Sequence, residues 1–291
     1  MSKTKIEWAD QVWNPIVGCD GPFSPGCDHC YARRMAARLQ GMGAYQQPFD
    51  QIVHQIHKTY YPRKIKRPTT FFVNSMGEMI PKEPAPLTLK YHHTMRGIWD
   101  IFSVMQECER HKFMILTKCP VRWADWDKIT NPTWPENVWF GISAEDPYRL
   151  ASRVHTLKEL PARHKFISFE PLLGRISPKT LERMLRGHAT AEGWRGIEWV
   201  IVGGETGPGA RPMHPDWVRE IRDTCVQNNV PFFFKGWGEW GPYTAPELSE
   251  SRDLFNSWTH SFVTMFRVGK KRAGRELDGK EWNEYPWEGI E

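Results

Sequence analysis

The chain has 291 residues, 40% hydrophobic and 25% charged, with a net charge of +5. That length buries a sizeable core without disulfide staples, as one large domain or two ordinary ones, and the composition argues against disorder. No apolar run approaches the ~20 residues of a membrane span, and Met1–Asp10 lacks the apolar centre of a signal peptide, so a soluble cytoplasmic protein with reduced thiols is expected.

Taken in chain order, β-rich runs recur at Val12–Val17, Thr69–Asn74, Lys112–Thr117, Asn137–Ser143, His164–Glu170, Glu198–Gly203 and Val230–Lys235. Stretches such as FMIL, WVIV and FFF are continuously apolar, which fits strands buried on both faces. Helical segments are expected between them, at Asp28–Leu39, Leu89–Glu109, Val121–Lys128, Pro147–Leu160, Pro178–Arg186 and Pro215–Asn228. Asp28 is the expected cap of the first, with Met35 and Leu39 sharing an apolar face with Ala32 and Ala36. Alternating strands and helices predict an α/β fold with a parallel sheet. A full or partial (β/α) TIM-type barrel of about six or seven strands over residues 1–235 accounts for them; a doubly wound open sheet is the alternative. Residues 236–291 carry Trp237, Trp240, Trp258, Trp282 and Trp287 among many Gly and Pro. They read as an irregular C-terminal extension packed on the barrel, with a short antiparallel pair near Thr264–Val268.

The most informative segment is Gly18–Tyr31, GCDGPFSPGCDHCY, which sets Cys19, Cys27 and Cys30 in a Cys-x7-Cys-x2-Cys array between the first strand and the first helix. Three soft thiolates suit zinc or an iron–sulfur cluster. A structural zinc site needs a fourth ligand, another Cys or a His such as His29. An iron–sulfur cluster on three cysteines leaves one iron open. Cys108 and Cys225, in predicted helices, read as core thiols; Cys119, after Lys118 at the catalytic end, is left open, an auxiliary thiol being one of its readings. His92, His93 and His214 lack ligand spacing with the cysteines and read as surface or substrate contacts.

Barrel chemistry sits at the carboxyl ends of the strands. Reading each run to its end gives Asn74, Ser75 and Glu78, then Thr117 and Lys118, then Ser143, Glu145 and Asp146, then Glu170, then Gly203, Gly204 and Glu205, and last Lys235. In GGETGPGARP (Gly203–Pro212) the glycines permit close backbone approach, and Glu205 and Arg211 offer recognition of an amine and an anion. A phosphate loop of the Gly-x4-Gly-Lys-Ser/Thr type is absent. Residues 1–70 hold ten basic and five acidic side chains, interleaved with Trp8, Trp13, Tyr31, Tyr60 and Tyr61, which is compatible with a phosphate-bearing substrate.

A three-cysteine loop directly after the first strand of a parallel barrel resembles the radical S-adenosylmethionine (radical SAM) enzymes, most of which space the cysteines Cys-x3-Cys-x2-Cys. The chain resembles more closely a phage-encoded family of unknown function, also found in bacterial genomes, that carries the x7 variant. The matching stretches are KIEWADQVWNPIVGC, PGCDHCYARRMA, FFVNSMGEMI, FMILTKCP, NVWFGISAED, FEPLLG, WVIVGGETGPGARPMHPDWV, PFFFKGWGEW and AGRELDGKEWNEYP. The resemblance implies a [4Fe-4S] cluster on Cys19, Cys27 and Cys30, with S-adenosylmethionine chelated at the open iron. It further implies an electron from a reducing partner such as flavodoxin or ferredoxin, and a 5′-deoxyadenosyl radical that abstracts hydrogen from substrate. Asn74, Ser75, Thr117, Lys118, Ser143, Gly203, Gly204, Glu205 and Arg211 are then expected around the cofactor, and Glu170, Glu205 and Lys235 at the reaction. Radical SAM enzymes set a Gly-Gly-Glu stretch against the methionyl amine, usually after the second strand; here it follows the sixth and holds either that group or substrate. The phage association and the basic N-terminal segment favour a nucleobase, nucleotide or DNA as substrate, in hypermodification by rearrangement or isomerisation in the host cytoplasm. Two other classes fit the residues: a zinc-stabilised, non-enzymatic nucleic-acid-binding protein, and a barrel hydrolase using Glu170 and Glu205.

Overall fold

Each apolar run becomes a strand: β1 (Gln11–Trp13), β2 (Thr70–Val73), β3 (Lys112–Thr117), β4 (Val138–Ser143), β5 (His164–Phe169), β6 (Trp199–Gly203) and β7 (Phe232–Gly236). The structure, a computed structural model, describes residues 4, 6–43, 45–82, 89–186, 196–242, 257–260 and 263–288. The seven strands are neighbours in chain order within one sheet. A doubly wound sheet would reverse that order at a switch point; this one does not, so the topology is that of a partial TIM-type barrel. The chain divides into two compact units, Met1–Ile142 with Ser152–Lys165, and Ser143–Ala151 with Phe166–Glu291. Among the described residues no helix is long and apolar enough to cross a membrane.

In the first unit β1, β2, β3 and β4 pair in parallel, with Gln11 opposite Phe71, Phe71 opposite Phe113, and Phe113 opposite Val138. Aromatic side chains fill this register. The Phe71 and Phe113 rings stack with centroids 5.5 Å apart, and Trp13 tilts against Phe113 at the same distance. Helices α1 (Tyr31–Gly41), α2 (Leu89–Glu107) and α3 (Pro120–Thr130) belong to this unit. Phe102 of α2 meets Trp126 of α3 at 4.9 Å, and Trp123 meets Phe140 of β4 at 5.0 Å. Pro120 opens α3, where its missing N–H would have had no helical partner, and Asn131 closes it in the left-handed conformation.

Three expectations are corrected here. The first run is not one strand: Asn14–Pro15 breaks it, β1 joins the main sheet, and Ile16–Val17 pairs antiparallel with Val53–His54. Helix α1 starts at Tyr31 with Cys30 as its cap, because Pro25–Cys27 forms a separate 3-10 turn that ends on Asp28. Its inward face is Ala32, Ala36 and the partly buried Leu39, while Met35 is exposed. Met35, at i+3 from Ala32, stands at the edge of that stripe and remains exposed.

In the second unit β5, β6 and β7 pair in parallel, with Phe166 opposite Trp199 and Val200 opposite Phe232. Helix α4 (Pro147–Glu159) links β4 to β5, and α5 (Pro178–Leu185) and α6 (Pro215–Gln227) follow β5 and β6. Buried His214 caps α6, its Nδ1 accepting from Asp216 N at 3.1 Å. The tail has more order than expected. Strand β8 (Trp240–Gly241) and the hairpin of β9 (Ser257–His260) and β10 (Val263–Arg267) form a small antiparallel sheet around the anticipated pair. Residues 282–284 lie along β7: Trp282 O accepts from Phe234 N at 2.9 Å, Phe232 O from Glu284 N at 3.3 Å, and Phe233 bridges Asn283.

Phe113 is fully buried between Trp13 and Phe71. Phe113→Ala should lower the unfolding free energy by about 3–5 kcal/mol, read as a shift of the urea midpoint. A shift below about 1 kcal/mol would show that the aromatic register is not the core of this unit.

Candidate functional site

The cysteine loop is fixed by backbone before any side chain acts. Gly18, at φ +97°, turns the chain out of Ile16–Val17; its N–H donates to Met76 O at 3.2 Å and its carbonyl accepts from Glu78 N at 3.1 Å. Cys19 N donates to Phe49 O at 2.7 Å. No side chain fits this crossing: a Cβ on Gly77 would stand 1.8 Å from Gly18 O, and one on Gly18 2.0 Å from Gln51 O. The 3-10 turn then returns Cys27 toward the start of the loop, and Cys30 N donates to Cys27 O at 3.2 Å. Cys19 and Cys30 both pack against the cluster of Val17, Ala32, Ala36, Phe49 and Met76. Cys27 Sγ accepts from Phe23 N at 3.4 Å. All three thiols are partly exposed and none is in a disulfide. Burial pushes the Cys19 thiol up to about 12, with Gly21 N–H opposing and the charges of Glu78, Cys27 and Asp20 adding to the rise.

Two carboxylates tie this loop to the next strand ends. Asp20 Oδ1 and Oδ2 accept from Arg122 Nη1 at 2.8 and 3.0 Å, and Asp20 Oδ2 accepts from Lys82 N at 2.7 Å. The same Arg122 donates to Ile80 O at 2.9 Å and lies 5.1 Å from the Phe23 ring centroid. Glu78, buried behind the loop, accepts from Thr117 Oγ1 at 2.8 Å, Lys118 N at 3.3 Å and Met79 N at 3.2 Å. Burial raises its pKa against the pull of those hydrogen bonds and of Arg122. Thr117 Oγ1 also accepts from Cys119 N at 2.9 Å. The expected Asn74, Ser75, Thr117 and Lys118 thus sit around the loop. Asn74, at φ +56°, accepts from Ile16 N at 3.3 Å, and its buried Nδ2 has no acceptor among the described residues. Ser75 Oγ donates to Asn14 Oδ1 at 3.3 Å, and its carbonyl accepts from Tyr31 OH.

Among the described residues no three His, Cys, Asp or Glu side chains are drawn together at metal-ligand spacing. His29 is partly exposed, His92 and His93 are exposed, and Cys108 and Cys225 are buried core thiols as expected.

The second unit holds the remaining candidates. Lys235 Nζ lies 2.5 Å from Glu170 Oε1, and Ser168 Oγ donates to Glu170 Oε2 at 3.3 Å. Gly203, on the strand between them, leaves the room: a Cβ there would come 3.0 Å from Glu170 Cγ. Gly204 is a second close approach, its absent Cβ lying 2.0 Å from Trp237 O. Ser143 and Glu145 are buried beside β5, where Ala144 N donates to Ser168 O at 2.9 Å. Glu205 and Arg211 were expected to face an amine and an anion; in the structure they face each other. Glu205 Oε1 accepts from Arg211 Nη2 at 2.6 Å, and Oε2 from Arg211 Nε at 2.9 Å and N at 2.8 Å. The 205–211 turn is closed further by Glu239, which accepts from Gly207 N at 2.8 Å, and by Trp240 Nε1 donating to Ala210 O at 2.7 Å. The glycines therefore serve a self-contained loop, with the Glu205–Arg211 pair as its brace.

Residues 3–286 match a family described as "Protein of unknown function (DUF5131)". The chain belongs to the DUF5131 family. No curated protein and no solved structure matches it. In this DUF5131 chain the groups that sequence reasoning missed are Asp20 and Arg122. Asp20 follows the first cysteine directly, but nothing in the sequence links it to a partner 102 positions away.

Asp20→Asn and Arg122→Ala should each speed iodoacetamide modification of Cys27 in the metal-free protein by about tenfold, since each frees the same charged hydrogen-bonded pair. The double variant should be no faster than the singles; additive effects would show two separate anchors. Cys19 should react about a thousandfold more slowly than an ordinary cysteine at pH 8, because its raised pKa keeps the thiol protonated there. Its rate should climb tenfold per pH unit above that, and a plateau by pH 9 would contradict the burial.

Proposed function

We propose that this protein is a radical SAM enzyme whose [4Fe-4S] cluster is held by Cys19, Cys27 and Cys30. The observation that carries the reading is the position of the loop. Three free, partly exposed thiols follow the first strand of a partial TIM-type barrel, at the carboxyl edge where such folds do their chemistry. The donor types suit such a cluster, three sulfurs on one loop, two of them against a shared apolar cluster and the third accepting a backbone N–H; they do not stand at ligand spacing in the structure, so loading would have to draw them together. When bound, such a cluster supplies a one-electron reductant and an iron with an open position for S-adenosylmethionine. The chain's part is to order and shield. Ligation requires thiolates, so binding of a cluster there would release the Cys19 proton. The Asp20–Arg122 pair and the Gly18–Gly77 crossing hold the loop ends while the thiols converge.

In the second unit the Glu170–Lys235 pair is the group proposed to orient or exchange a proton with substrate; it is about one-fifth exposed on each side. Glu205, braced by Arg211, shapes its loop instead. The substrate proposed is a nucleobase, nucleotide or DNA, modified by a rearrangement of the isomerase type, with flavodoxin or ferredoxin as electron donor.

Protein purified and reconstituted without oxygen should hold about four irons and four sulfides per chain and, with dithionite and S-adenosylmethionine, release 5′-deoxyadenosine. Cys30→Ala should lose the iron and the product together. A colourless protein with one tight zinc and no iron after reconstitution would replace this reading with the zinc-clip class.

A further inference from the structure

The positive charge of the chain is concentrated away from the cysteine loop. Residues 51–77 contain no acidic side chain and five basic ones, Lys58, Arg63, Lys64, Lys66 and Arg67, equal to the net charge of the whole protein. Lys58 lies on the short helix Ile56–Thr59, Arg63 and Lys64 on the 3-10 turn Tyr61–Lys64, and Lys66 and Arg67 in the stretch between that turn and the start of β2 at Thr70, all at the amino edge of that strand. The cysteine loop is held by residues 76–78, beyond the carboxyl end of the same strand.

This basic segment is tethered along its length. Lys58 O accepts from Trp13 Nε1 at 2.8 Å, Ile65 O from Arg110 Nε and Nη2 at 3.1 and 3.0 Å, and Arg67 O from Thr69 Oγ1 at 3.0 Å. Buried His111 Nε2 lies 3.2 Å from Pro62 O, and Tyr61 OH donates to Gln11 Oε1 at 2.9 Å. Arg63 is committed to Glu107 at 2.7 Å and lies 4.5 Å from the Tyr60 ring centroid, and Tyr60 as a residue is 42% exposed. Lys64, Lys66 and Arg67 are exposed, and among the described residues no carboxylate pairs with them. A merely solvated charge run gains nothing from so many tethers. A preorganised one binds a polyanion with less ordering to overcome.

We infer that this surface docks the phosphodiester backbone of a nucleic acid, with Lys64, Lys66 and Arg67 on phosphates and Tyr60, backed by Arg63, as a face on which an unpaired base stacks. Charge complementarity selects a polyanion, and an exposed aromatic ring beside the cations selects one that carries bases. Docking here needs no cluster, so it stands or falls separately from the chemistry proposed for the cysteines.

The test uses the full-length, metal-free protein and fluorescence anisotropy with a labelled single-stranded DNA of about 20 nucleotides, its duplex, and anionic phosphatidylserine vesicles. The variant Lys64→Gln/Lys66→Gln/Arg67→Gln should bind the single strand at least about tenfold more weakly near 0.1 M salt. Its plot of log affinity against log salt should be shallower by about 2, the share of three phosphate contacts on a single strand. Tyr60→Ala should weaken the single strand by about five- to a hundredfold and leave the duplex nearly unchanged. Lys270→Gln/Lys271→Gln, which removes charge from the second unit, serves as control and should leave binding within twofold. Wild-type affinity in the triple variant, an equal loss in the control, or tighter binding to the vesicles than to DNA would each overturn the proposal.

Discussion

The three-cysteine loop depends on one steric constraint, the crossing of main chain at Gly18 and Gly77. There the carbonyl of Gly18 occupies the space that a side chain on Gly77 would need, and Gln51 closes the other side. Hydrogen bonds from Gly18 N to Met76 O and from Glu78 N to Gly18 O follow from that approach, as does the position of Cys19. Glu78 extends the same crossing inward to Thr117 and Lys118, so the ends of β2 and β3 and the start of the loop form one hydrogen-bonded body. Buried carboxylates persist only when their oxygens are satisfied, and Glu78 meets that condition with three donors.

Much of this was legible in the sequence because burial on both faces writes itself as unbroken apolar runs. FMIL, WVIV and FFF lie in β3, β6 and β7. Boundaries were less legible where local chemistry competes. Asp28 has the composition of a helix cap, yet Pro25 and Gly26 bend the chain into a 3-10 turn first and hand the cap position to Cys30. Met35 has the right polarity for a core stripe but stands at its edge, exposed. The cysteines were visible from spacing alone; their clamp was not, because Arg122 meets Asp20 through tertiary structure.

The strand-end polar groups separate into two kinds once their partners are known. Glu205 and Arg211 satisfy each other in a bidentate pair, which is how a glycine-rich turn holds its shape. Glu170 and Lys235 also meet, but across a glycine and with both side chains partly reachable by solvent. Sequence patterning cannot draw that distinction, since all four are charged residues at strand ends or in the loops that follow them. The N-terminal charge shows the same limit: the excess is evident from composition, while its place at the amino edge of β2 is a property of the fold.

The tail residues beside β7 have a further consequence. A parallel sheet that does not close on itself ends in a strand with a free row of N–H and C=O groups, a template for a second chain. Here Trp282, Asn283 and Glu284 occupy part of that row, with the Glu284 carboxylate also accepting from Phe232 N at 3.0 Å. The Trp-rich extension therefore covers part of the edge at FFF, where an uncovered strand would be open to pairing with a second chain.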